Sequence, residues 1–101
     1  MTANTIIIDG NNFSDAESFY REVDNVLTSG LDWATGHNLA AFNDLLYGGF
    51  GIYEYEDHIK LTWKNSEKSK KELNGIFDGK TLYETLVDII KEHEHIQFTE
   101  A

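Results

Sequence analysis

The chain contains no cysteine and no proline, and basic side chains are scarce. Without cysteine it can have no disulfide framework, no thiol nucleophile and no zinc site with sulfur ligands. No apolar run approaches the roughly 20 residues that span a bilayer. The isoleucines near the N-terminus follow no basic segment, so we expect no secretory signal, no membrane segment and a cytoplasmic protein.

Acidic side chains dominate the charge. The 101 residues include 18 acids and 8 bases, a net charge of −10, and residues 1–59 hold ten of the acids with only one base. This charge repels phosphate backbones, so direct nucleic-acid binding is not expected. It suits a basic protein partner, whose approach it would steer, although solubility alone also explains an acidic surface.

The periodicity of apolar residues predicts an α/β fold in a single domain over residues 1–101. The order of elements is β–α–α–β–α–α–β. Strands are predicted at residues 5–8, 58–64 and 95–99, and helices at residues 15–29, 38–47, 65–73 and 81–90. Strands joined by helical crossovers should be parallel. Two of the strands alternate, so we expect helices on one face of the sheet and water on the other.

Polar residues predict where the helices begin. Capping boxes are predicted at Ser14 with Glu17 and at Thr81 with Glu84, and single caps at Asn38 and Asn65. On the second helix, Leu39, Phe42, Leu45 and Leu46 share an apolar face, while Ala40, Asn43, Asp44 and Tyr47 share the opposite one. Trp63 closes an alternating strand, so we expect it in the core.

Two segments resemble the barstar family. Residues 36–48, GHNLAAFNDLLYG, resemble its signature: a glycine, an asparagine and leucine soon after, then a short helix that carries an aspartate and ends at glycine. Residues 59–66, IKLTWKNS, resemble its second strand, which ends in tryptophan and leads into a lysine-bearing helix. The lengths and the order of the elements agree over nearly the whole chain.

The resemblance implies a two-layer α/β domain with a three-stranded parallel sheet and about four helices. It also implies an immunity protein, an inhibitor that plugs the active site of a basic microbial ribonuclease in a one-to-one complex and is not an enzyme. Asp44 matches the helix aspartate that takes the place of a substrate phosphate among the ribonuclease's cations. A carboxylate on a rigid helix can form charge-assisted hydrogen bonds there.

Further partner contacts are expected around Asp44, although several positions depart from the family pattern. The expected contacts are Tyr47, Asn43 and Ala40 on the second helix, Trp33 in the loop before it, and Asp78 before the last helix. Ala40 replaces an aspartate and Asn43 replaces a tryptophan, while Ala34 and Gly49 replace aromatic residues. The partner is therefore a basic ribonuclease or another basic toxin. The alternative is an acidic interaction or scaffold module whose partner is not a nuclease.

Other polar clusters have competing interpretations. The segment from Glu92 to His95 alternates acids and histidines, but histidines two residues apart at a helix end diverge, so a fraying helix end is favoured over a metal site. Asp9 and Asp44 could serve as acid and base only if one pocket held both. No serine or cysteine stands at a recognisable spacing from a histidine. We therefore expect no catalytic residues, no metal and no other cofactor.

Overall fold

The computed structural model describes residues 4–28, 38–47, 58–77 and 79–101. The elements are β1 (Asn4–Asp9), a 3₁₀ helix (Gly10–Asn12), α1 (Ala16–Leu27), α2 (Leu39–Leu46), β2 (Ile59–Lys64), α3 (Ser66–Glu72), β3 (Ile76–Phe77), β4 (Lys80–Thr81), α4 (Leu82–Lys91) and β5 (Ile96–Glu100). The expectations for Trp33 and Asp78, and for the positions of Ala34 and Gly49, lie outside the described residues.

A parallel sheet of three strands, in the order β1-β2-β5, forms the centre of the fold. In its register Ile6 lies beside Leu61 and Ile8 beside Trp63. The apolar residues of β1 and β2 that alternate along these strands are buried on one face, while Ile7 on the other face is 41% exposed. This pattern follows from the two-residue period of side chains in a strand. It confirms the prediction that one face of the sheet is exposed to water.

The helices form the second layer. Helix α1 packs beside β1, α4 packs beside β5, and α2 contacts both of these helices. The structure therefore confirms the α/β class, the parallel three-stranded sheet and the four helices. It adds a short antiparallel pair, β3 with β4, which periodicity could not predict because each strand has only two residues.

Two helix starts differ from the prediction. The first capping box uses Asp15 and Ser18, one residue later than the predicted pair: the Ser18 N–H donates to the Asp15 carboxylate at 2.8 Å, and the Ser18 hydroxyl accepts from the Asp15 N–H at 3.1 Å. Asn65 does stand at the start of α3, but its side chain makes no cap hydrogen bond. It adopts the left-handed backbone conformation (φ 55°), which asparagine tolerates better than most residues. The predicted caps at Thr81 and Asn38 are confirmed.

Trp63 is the centre of the core, as predicted. Its side chain is fully buried and stacks on Phe19, with ring centroids 5.3 Å apart, while Phe13 and Tyr83 meet it edge to face. Its indole N–H donates to the hydroxyl of Ser69 at 2.9 Å. This hydrogen bond removes the penalty that an unpaired buried N–H would carry.

Polar groups close the edge of the sheet where the strands end. Hydrogen bonds from the backbone of Asn11 and the side chain of Asn65 hold the pKa of Asp9 below its ordinary value. The ammonium of Lys68 donates to the carbonyl of Gly10 at 2.9 Å. Ligands of open α/β sheets usually bind at this edge, but here its polar groups bind one another.

The backbone of Gly10 lies close to α3 at this edge, and we expect Gly10→Ala to destabilise the fold. An added Cβ would lie 2.6 Å from Oγ of Ser69 and 2.7 Å from the carbonyl oxygen of Asn65. Such overpacking costs about 1–3 kcal/mol, measurable as a lower urea midpoint. Gly75→Ala is the matched control: its Cβ would meet nothing within 4 Å. Equal midpoints for the two variants would contradict this prediction.

Candidate functional site

Helix α2 is short. It is held by a cap at its N-terminus and by buried residues on its inner side. The Asn38 side chain accepts a hydrogen bond from the N–H of Ala41 at 2.8 Å, which caps the first turn. Phe42, Leu45 and Leu46 are buried against the core, at the spacing that places residues on one side of a helix. The outer side of α2 is therefore presented on a rigid support.

Asp44 lies on this outer side and is exposed. Within the described part of the chain, its carboxylate has no hydrogen bond and no ion pair. It stands in the last turn of α2, where no basic residue accompanies it. A negative charge there meets the negative end of the helix dipole and typically costs about 0.3–1 kcal/mol. The residue is therefore better suited to binding than to stabilising the helix.

The other expected contacts on α2 divide into two groups. Ala40, one turn before Asp44, is also exposed, whereas Asn43 and Tyr47 are only partly exposed. The predicted common outer face is thus correct for Ala40 and Asp44 only. Asn43 and Tyr47 lie toward the connection between α4 and β5. Side chains of that connection form a hydrogen bond with Asn43 and ring contacts with Tyr47.

These neighbours are two histidines, His93 and His95, in the connection between α4 and β5. His93 is 5% exposed, and its Nε2 lies 2.8 Å from Oδ1 of Asn43. His95 Nε2 lies 2.8 Å from the carbonyl oxygen of Leu46. The interpretation of this segment as a fraying helix end is therefore wrong: both imidazoles join the last strand to α2.

Tyr47 lies against both histidines. Its ring centroid is 4.5 Å from that of His93, edge to face, and 6.2 Å from that of His95, nearly parallel. Burial and the neighbouring His95 hold the pKa of His93 below its ordinary value, while Glu92 opposes this shift. A cleft of about 470 Å³ opens beside them, lined by Tyr47, His58, Glu92, His93, Glu94 and His95.

The C-terminal end of α2 lies near the edge where the strands begin. His95, which is bonded to Leu46 of α2, directly precedes β5, and its carbonyl accepts from the N–H of Ile59 at the start of β2. Asp9 ends β1 at the opposite edge. The fold therefore does not bring Asp9 and Asp44 into one pocket, and an acid–base pair gains no support.

The chemistry that α2 presents at its outer side is that of an acid. It offers a carboxylate on a rigid helix, next to small and aromatic side chains. In residues 4–28, 38–47, 58–77 and 79–101, no group of three or more metal-ligating side chains could hold an ion. No helix in these ranges is both long and apolar enough to cross a membrane.

Sequence reasoning identified Asp44, Asn43, Tyr47 and Ala40 on α2 but missed His93 and His95 as their neighbours. The available signal was the position of His95 at the start of the alternating segment that became β5. That position places it at the strand-starting edge, although nothing in the sequence showed that α2 would reach this edge.

Comparison with known families agrees with this architecture. Residues 3–99, nearly the whole chain, match the family described as Barstar (barnase inhibitor). No curated protein matches the chain.

Proposed function

The chain belongs to the barstar family, and on that premise we propose that it binds a basic microbial ribonuclease and blocks its cationic active site with α2 and the loop before it. The family consists of inhibitors of ribonucleases such as barnase, not of enzymes. The proposed complex is one-to-one, and its place is the cytoplasm of the cell that makes the ribonuclease.

The exposed Asp44 carboxylate on α2, which has no partner among the described residues, carries this proposal. A ribonuclease active site is concave and gathers cations that bind a substrate phosphate. A carboxylate fixed on a helix can enter such a site and accept charge-assisted hydrogen bonds, which are about twice as strong as neutral ones. The core beneath α2 holds the backbone of the helix in place before binding, which lowers the entropy cost of association.

The surroundings of Asp44 determine which ribonuclease would fit. Ala40 makes the helix surface smooth one turn before Asp44, and Asn43 is engaged with His93. We propose that Tyr47, Trp33 and Asp78 complete the contact. The departures at Ala40 and Asn43 favour a partner whose site differs in shape from that of barnase, including other basic toxins.

The second candidate is an acidic interaction module with a non-nuclease partner. The observation that favours it is the loss of two side chains from the family pattern, at Ala40 and Asn43, within one helix. Such a module would also bind through α2, but it would leave ribonuclease activity unchanged.

The test is inhibition measured by titration. Increasing amounts of the chain are mixed with a fixed amount of barnase, or of another basic microbial ribonuclease, and RNA cleavage is followed by fluorescence. We expect activity to fall linearly and to end at one equivalent. If every ribonuclease in such a panel retained full activity at micromolar inhibitor, the proposed function would be wrong.

We expect association with the ribonuclease to slow steeply as salt is added. Steering between a chain of net charge −10 and a cationic site is screened over about 8–10 Å at physiological ionic strength. Stopped-flow mixing at about 20 mM and 500 mM salt measures the effect. An association rate that stayed constant between these two conditions would indicate recognition by apolar contact alone.

A further inference from the structure

The connection between α4 and β5 determines how one side of α2 is held. Asn43 presents its side-chain carbonyl to His93, and Leu46 presents its backbone carbonyl to His95. A carbonyl oxygen only accepts hydrogen bonds, so each imidazole donates from Nε2. These two bonds span 50 and 49 residues of sequence and fix the end of a helix that has only eight residues.

The same histidines hold the aromatic residue that follows the helix. Tyr47 meets His93 edge to face and lies nearly parallel to His95. Asn43 and Tyr47 are two of the residues assigned to partner contact. The histidine pair therefore sets the position of a flank of the proposed binding surface.

Protonation would change this arrangement. The two imidazole rings are only 5.5 Å apart, and His93 is buried, so two positive charges there would repel each other and lose hydration. Burial and His95 already hold the pKa of His93 below its ordinary value. Among the described residues, the charged or titratable groups that face the pair are Glu92 and Glu94 on its own segment, His58 before β2, and Tyr47 after α2. Glu92 opposes the shift without cancelling it.

We propose that His93 and His95 are positioning residues for α2, and that protonation of His93 weakens binding of a basic protein partner. This inference rests on the proposed function, because it takes α2 as the binding helix. The cause is twofold. Protonation leaves the Nε2 donor in place, but a charged His93 ring is unfavourable in a buried position beside His95, so we expect the ring to shift and to release Asn43 and Tyr47. It also places positive charge beside a surface that must meet a cationic site. Each linked proton can lower affinity by up to about tenfold per pH unit below the pKa.

The positioning is tested in the free protein by NMR. Imidazole, Asn43 side-chain amide and Tyr47 ring resonances are followed from pH 8 to about pH 4, so that a His93 midpoint below its ordinary value lies within the range. We expect His93 to titrate below its ordinary pKa of about 6.5, with the Asn43 and Tyr47 resonances following the same midpoint. Asn43 and Tyr47 signals that stayed constant while His93 titrated would overturn the positioning role.

His93→Gln separates the charge from the hydrogen bond. The glutamine amide can donate to Asn43 but does not titrate, so we expect the pH response of Asn43 to disappear while α2 stays in place. His58→Gln is the matched control, since His58 lines the same cleft but is exposed. It should leave the response unchanged. A response that survived in His93→Gln would overturn the proposal.

The effect of His93 protonation on affinity is measured with barnase as the binding partner. Dissociation constants of the original chain, His93→Gln and His58→Gln are measured at pH 7.5 and 5.5, so that the titration of barnase itself cancels between variants. We expect the original chain to lose more affinity than His93→Gln over this range, by a factor smaller than about tenfold because the pKa of His93 lies below its ordinary value of about 6.5. We expect His58→Gln to behave like the original. If the original chain and His93→Gln lost the same affinity between pH 7.5 and pH 5.5, protonation of His93 would not weaken binding and this part of the proposal would be wrong. If barnase were not bound, the same constants would be measured with the ribonuclease of the panel that the chain inhibits. If no ribonuclease of the panel were bound, the proposed function and the effect on affinity would both fail, whereas the NMR titration would still decide the positioning role.

Discussion

Asp44→Ala should abolish most of the inhibition while leaving the fold intact. In the proposed complex its carboxylate is desolvated among the cations of the ribonuclease. Truncating one member of such a pair typically costs about 2–5 kcal/mol, in part because the partner's charges remain buried without a counter-charge. At about 1.4 kcal/mol per decade, this corresponds to roughly 30-fold to several-thousand-fold in dissociation constant. Surface plasmon resonance should show it mainly as faster dissociation.

The stability of this variant distinguishes a binding role from a structural one. Asp44 is exposed, and its carboxylate has no partner within the described residues, so its removal opens no cavity. It also removes a negative charge from the last turn of α2, so we expect the free energy of unfolding to stay constant or to rise slightly. Unfolding of Asp44→Ala would show that the assignment of the helix faces is wrong.

Glu67→Ala is the matched control for Asp44→Ala. Glu67 is an acidic residue on another helix, α3, and its side chain is 82% exposed. Its removal changes the net charge by the same amount, so it should lower the association rate slightly and leave dissociation unchanged. Asp44→Asn tests the charge without a change of volume and should resemble Asp44→Ala. If Asp44→Ala and Glu67→Ala were equally mild, α2 would not be the plug, even though the family membership would stand.

Trp63→Ala should have the largest effect on stability. The indole is fully buried on the central strand and packs against Phe13, Phe19 and Tyr83. Replacing a buried aromatic side chain by alanine costs about 3–5 kcal/mol, whereas a domain of this size has about 5–15 kcal/mol in total. Urea unfolding followed by far-ultraviolet circular dichroism should show a large fall in the midpoint or a chain unfolded without urea.

Trp63→Phe separates the volume of the ring from its polar group. Phenylalanine keeps an aromatic ring against Phe19, but it leaves the hydroxyl of Ser69 without the indole N–H. Because much of the apolar surface remains, we expect a loss smaller than that of the alanine variant. Equal losses would show that the hydrogen bond to Ser69, not the packing, accounts for the role of Trp63.

Interactions between residues close together in sequence allowed most of the helices and strands to be predicted. The alternation of residues 58–64 predicted a half-buried strand, and the structure has one at Ile59–Lys64 with Trp63 in the core. The capping box at Thr81 predicted the start of α4, and Asn38 predicted the start of α2. These features depend on neighbours within a few residues, so their chemistry can be read along the chain.

Only the tertiary structure decided which side of α2 is exposed to solvent and which side contacts the rest of the protein. The sequence placed Asn43 and Tyr47 on the same polar face as Asp44, and no local rule separates them. In the fold, His93 and His95 bind the side of α2 that carries Asn43 and Tyr47, from about 50 residues away in sequence, while Asp44 stays exposed. Helical spacing fixes the direction of a side chain from its own axis. What meets that side chain depends on how distant segments pack, which the sequence of the helix does not contain.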